Sequence, residues 1–204
     1  MTQCVRFLLG VGLVLTLVAS ADCHEIKVFA SRHVLPEGGG KATIYLSWGH
    51  RVPVDDLVDA TPIETYNLLS PGGTVTALKK EGISLQTNAV ELKDPGVYSV
   101  VVMRKQSIYT YVLDDENNRQ LKRGPKTEHT GVKIDYAMRS QQTAKSLIVV
   151  AKPGDAIPKP LGLPSEIIPL DGPAKWTTNS DIRFQILVDG KPVPSAEVHA
   201  RSLG

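Results

Sequence analysis

Cysteine is nearly absent from this chain, and its placement excludes a disulfide scaffold. The two that occur among 204 residues are Cys4 and Cys23. Cys4 falls in a leader-like stretch and Cys23 at the end of it, so the two cannot form a structural bridge in a matured chain. Charge of one sign is also lacking: 23 basic and 21 acidic residues are interleaved, for a formal net charge of +2. Nothing in that balance calls for a nucleic acid or a membrane surface. Long hydrophobic runs are missing beyond residues 7–18, which are too few to span a bilayer comfortably. With Arg6 ahead and Ala19-Ser20-Ala21 behind, that run predicts a secretory signal peptide over residues 1–23 and an exported chain. Cys23 is not expected to carry a lipid, because Asp22 stands where a lipid-attachment signal needs a small residue.

Several reaction classes are missing too. Gly38-Gly39-Gly40-Lys41 resembles a phosphate loop, but Leu35 occupies the position of the first required glycine and a strand pattern follows the lysine, so no nucleotide is expected. Asp114-Asp115-Glu116-Asn117-Asn118 offers oxygens to calcium, yet Arg119 replaces the glycine of a calcium loop; a solvated, mobile loop is expected there. There is no Gly-x-Ser-x-Gly and no cysteine securely in the mature chain, so the reading is of a protein that is not an enzyme.

What is present is strand periodicity. Ala42, Ile44, Leu46 and Trp48 fall on one face, and Lys41, Thr43, Tyr45 and Ser47 on the other. Ser70-Pro71-Gly72-Gly73 and Asp94-Pro95-Gly96 are turn signals. Residues 97–103 and 146–151 are nearly continuously apolar, as strands covered on both faces are. Short helices are expected only around residues 54–61 or 136–143. The fold class is therefore all-β: an Ig-like β-sandwich over residues 24–151, a proline-rich linker over 152–175, and a partial second β-unit over 176–204. That unit is expected to be a hairpin turning at Asp189-Gly190 and returning over residues 196–200.

Chemistry concentrates in the stretch IYLSWGHRVPVDD, residues 44–56, where a strand ends in His50 and two acids, Asp55 and Asp56, follow. On spacing alone two readings stand. His50 closes an ordinary turn while the acids cap a short helix, or it is a metal ligand with the acids ligating beside it or orienting its ring. Cleavage after Cys23 would leave His24 as the first residue, with an α-amine and an imidazole able to chelate one ion; cleavage after Ala21, an equal alternative, removes that chelate. His33 and His199 are read as surface or packing residues.

Several segments resemble, in order, a family of exported bacterial domains of unknown function often described as nickel- or cobalt-uptake periplasmic components. They are HEIKVF, YLSWGHRVPVDD, PGVYSVVVMRK, TAKSLIVV, LGLPSEIIPL and FQILVDGKPVPSAEVHA. The resemblance implies a periplasmic β-sandwich associated with a metal-uptake membrane transporter, with His24 and His50 as the positions to suspect. It also implies a second β-domain longer than the one this sequence contains. The expected ligand set is His24, His50, Asp55 and Asp56; the expected ion is nickel or cobalt, with zinc and copper left open. The alternative is an Ig-like cell-envelope module that binds protein or glycan.

Overall fold

The alternation at residues 41–48 becomes the middle strand of a three-stranded antiparallel sheet. In this computed structural model, which describes residues 24–50, 54–151 and 154–200, β3 (Gly40–Gly49) lies between β1 (Glu25–Ala30) and β8 (Gln86–Leu92). Residues 1–23, expected to be a signal peptide and containing Cys4 and Cys23, lie outside the described residues. Ala42, Ile44 and Leu46 are buried, while Lys41, Thr43 and Tyr45 turn the other way. The second sheet runs in the order β2 (Val34–Leu35), β13 (Thr143–Val150), β9 (Gly96–Arg104), β5 (Ile63–Leu69), β6 (Val75–Ala77). All its pairings are antiparallel except β2 with β13. Ile44 and Leu46 meet Val100, Val102, Ile148 and Val150 between the sheets, all essentially inaccessible. Each such aliphatic side chain contributes about 1.5–3 kcal/mol when fully buried. The chain is an all-β sandwich. A short ladder of β4 (Val58–Asp59) with β7 (Ile83–Ser84) accompanies it.

Past short breaks at residues 105–106 and 141–142, the β9–β13 ribbon continues as β10 (Ser107–Leu113) paired with β12 (Lys133–Ser140). The strand β11 (Arg119–Arg123) pairs with the other edge of β10. The acidic stretch expected as a mobile loop is instead the tight turn of this hairpin. Asp114 Oδ1 accepts from the amides of Glu116 (3.0 Å) and Asn118 (2.8 Å), and Asn117 takes φ 62°.

No α-helix occurs among the described residues. Where helices were expected, Val58 and Asp59 pair with β7 and residues 133–140 pair with β10, so sheet hydrogen bonding overrides local preference. Only single 3-10 turns form, at Lys126–Glu128 and Pro173–Lys175.

The proline-rich segment also holds a strand, β14 (Ser165–Pro169), paired with β15 (Phe184–Val188). Asp189 and Gly190 form the tight turn with φ of 48° and 71°, the double positive φ of a type I′ hairpin. The return strand is β16, only Lys191–Pro192, and residues 196–200 form no strand. Pro192 and Pro194 explain the early stop, since proline has no amide to donate to a ladder. This three-stranded sheet attaches to the outer face of the sandwich. Glu166, fully buried at its side chain, accepts from Lys145 Nζ at 2.7 Å and from the Leu161 amide at 2.9 Å, and Thr143 Oγ1 donates to the Ser165 carbonyl at 2.7 Å.

Candidate metal centre

The four suspected residues meet at one end of the β1–β3–β8 sheet, and strand register is the cause. Glu25 is opposite Gly49 and Ile26 opposite Trp48, so one step outward in the same antiparallel ladder sets His24 across from His50. Directly opposed side chains on one face of such a pair are in contact range. The two imidazole centroids are 4.1 Å apart, tilted at 52°. Trp48 lies diagonally on the same face, with its ring stacked on His24 at 5.7 Å.

Asp55 and Asp56 lie back against the strand end. Asp56 forms an isolated bridge with Trp48, and Asp55 Oδ2 accepts the His50 amide at 2.9 Å. The acids therefore cap a strand end, where the simpler reading had them capping a helix. Gly49 makes this possible. Its φ of 125° lies where side chains are rarely tolerated, and a Cβ there would land inside the Asp55 carboxylate. Lys27 donates to the Gly49 carbonyl at 2.6 Å and stands 4.0 Å from Asp55 Oδ1, which anchors the turn from β1.

Each imidazole turns one nitrogen toward a carboxylate. His24 Nε2 is 3.9 Å from Asp56 Oδ2, and His50 Nδ1 is 3.9 Å from Asp55 Oδ2, charge-pair distances longer than a hydrogen bond. Both acids also receive backbone amides, Asp56 through Oδ1 from Leu57 at 2.7 Å. The two carboxylates thus stand beside the imidazoles at charge-pair distance. Among the described residues, no group of three or more His, Cys, Asp or Glu side chains is disposed to hold a metal ion. What the described side chains bring together is two imidazoles with two carboxylates beside them.

Three neighbours of the site went unnoticed in the sequence. Arg104, at the end of β9, lays its guanidinium over Trp48 at 3.9 Å from the ring centroid. Burial lowers its pKa from the usual value. Gln142 joins the sheets, accepting from Arg104 Nη1 at 3.2 Å and donating to the His24 carbonyl at 2.8 Å. Lys27 is the third. Arg104 and Lys27 lie in otherwise apolar strand runs, the one available signal; Gln142 carries none, because its role depends on a partner far away in sequence.

The remaining histidines stand apart. His33 links β1 to β13, with Nδ1 2.9 Å from the Leu147 carbonyl and Nε2 accepting from the Ala30 amide at 3.4 Å, which places the proton on Nδ1. His199 pairs with Glu197 at the surface. His129 has a buried Nε2 without a partner among the described residues.

Fold and site together define an all-β sandwich that gathers two histidines, each beside a carboxylate, at the end of one sheet. Residues 21–204 match the family described as a domain of unknown function, DUF4198, and the chain belongs to it. No curated protein and no solved structure matches the chain.

Proposed function

We propose that this protein is an exported, non-catalytic accessory protein that binds a divalent transition metal, nickel or cobalt, for an uptake transporter in the cell envelope. The observation that carries this reading is the 4.1 Å approach of the His24 and His50 rings, each with one nitrogen facing an acid. The opposite nitrogens, His24 Nδ1 and His50 Nε2, would ligate, and Asp55 and Asp56 would hold the ring orientations. Export with cleavage after Cys23 would add the α-amine of His24, which chelates together with its own imidazole. Imidazole and amine nitrogens suit nickel, cobalt, copper and zinc, and selection among them rests on geometry and supply.

Mass spectrometry of the exported protein reads its first residue, and calorimetry with nickel chloride reads binding. The expected outcome is a chain beginning at His24 that binds one nickel ion, with His50→Ala weakening binding at least tenfold, the scale of a lost ligand or supporting partner. Equal nickel affinity in wild type and His50→Ala, or none in either, removes this reading.

A second reading, an envelope interaction module, is favoured by one observation. The outer face of the last sheet exposes Ile167, Phe184 and Val188, an apolar cluster of the kind that marks a protein contact. Recovery of a partner from envelope extracts by wild type and not by Phe184→Glu supports it, and recovery by neither counts against it.

A further inference from the structure

A cleft of 280 Å³ opens beside His24, between the end of the sandwich and the β10–β12 ribbon. Trp48, Tyr109 and Tyr111 line it together with Arg104, Lys105 and Gln142, and no carboxylate among the described residues does. Arg104 is half-buried and fixed by Trp48 and Gln142, yet among the described residues neither it nor Lys105 forms an ion pair; Asp59 acts on Arg104 only from beyond that distance. A guanidinium held in place, partly withdrawn from water and without a carboxylate in contact is placed to receive an anion. Its fork of donors matches a carboxylate, and the flanking aromatic rings match a flat or apolar body.

We infer that this cleft binds a small organic carboxylate that chelates the metal, so that the ion is taken as a complex. This deepens the metal-binding reading and rests on it. His24 belongs both to the imidazole pair and to the cleft lining, so a chelator seated against Arg104 lies next to the ion. The shortage of side-chain donors then has an explanation: the amine, imidazole or carboxylate groups of the chelator complete the shell. L-histidine and citrate are the probes, since both carry carboxylates and bind nickel, and only L-histidine adds an aromatic ring for the walls.

The test titrates full-length mature protein with nickel chloride, with each probe alone, and with each nickel–probe complex, using wild type, Arg104→Gln, Lys105→Gln and His50→Ala. Thermal unfolding verifies that each variant is folded, and a Trp176→Phe background isolates the fluorescence of Trp48. Wild type is expected to bind nickel–L-histidine at least about tenfold more tightly than nickel chloride, with quenching of Trp48. Arg104→Gln is expected to lose that advantage, read as the ratio of its own affinities for the complex and for nickel chloride, and Lys105→Gln to lose part of it. If nickel chloride and the complexes bind equally well to wild type, or if folded Arg104→Gln and Lys105→Gln both retain the preference, the inference is overturned. If a probe alone binds in an Arg104-dependent way and nickel does not bind at all, the metal reading fails while the carboxylate site stands. Nickel binding with no response to either probe leaves the metal reading standing and overturns the cleft.

Discussion

Gly49 shows how much of the candidate site rests on one atom. Placing a methyl group where the Asp55 carboxylate sits, at a φ of 125°, forces the loop after the strand to move. Gly49→Ala is expected to lower stability by about 1–3 kcal/mol, measured by urea denaturation, and to weaken nickel binding by releasing the Asp55 contact with His50. Tyr66 makes a different case. Its hydroxyl is buried beside Asn88 and makes no hydrogen bond of ordinary geometry among the described residues, and burial pushes its pKa up to about 12. The folded value lies above the ordinary 10.0, so the linked stability is present below that pH and is lost as pH rises from there through about 12. In a tyrosinate absorbance titration one tyrosine should lag the others. Tyr66→Phe should remove the lag and leave the protein unchanged or about 1 kcal/mol more stable, because a hydroxyl buried without a partner costs free energy.

Among elements, the loop between β14 and β15 is held by one carboxylate. Asp171, 4 % exposed, accepts from the Arg183 amide (2.9 Å), Nε (3.1 Å) and Nη2 (2.8 Å), and from Lys175 Nζ at 3.3 Å. The hydrogen bonds from Arg183 hold its pKa well below the usual carboxylate range. A depressed folded value means the linked stability is present above the ordinary 3.8 and is lost as pH falls through the depressed value. Asp171→Asn should therefore unfold with a flatter pH dependence on the acid side than wild type, read by acid titration of the Trp176 fluorescence. The Trp176 indole donates to the Asp171 carbonyl at 2.9 Å and so reports on this loop.

For the whole molecule, the question is how the last sheet stays on the sandwich. The Lys145–Glu166 pair, 11 % and 0 % exposed at the side chains, joins β13 to β14. Removing one partner of a buried pair strands the other charge. Lys145→Met is expected to cost about 3 kcal/mol and to raise hydrogen exchange over residues 165–192 more than in the core strands β3 and β9. Uniform exchange across both regions would show that the pair does not hold the sheet in place.

The sequence by itself determined the strands with strong alternation or continuous apolar character, β3, β9 and β13, and the turn at Asp189-Gly190, because period-two burial and positive φ are local demands written in residue type. It also marked His24, His50, Asp55 and Asp56 as candidates. It misread residues 54–61 and 136–143 as helical and 196–200 as a strand, because pairing partners and nearby prolines decide such weak segments. Only the tertiary structure decided that His24 and His50 meet: their contact depends on the register of β1 against β3, which the whole hydrophobic face sets. Arg104 joins them from the end of β9 and Gln142 from the break before β13, a placement that follows from how two sheets stack and that no local pattern encodes.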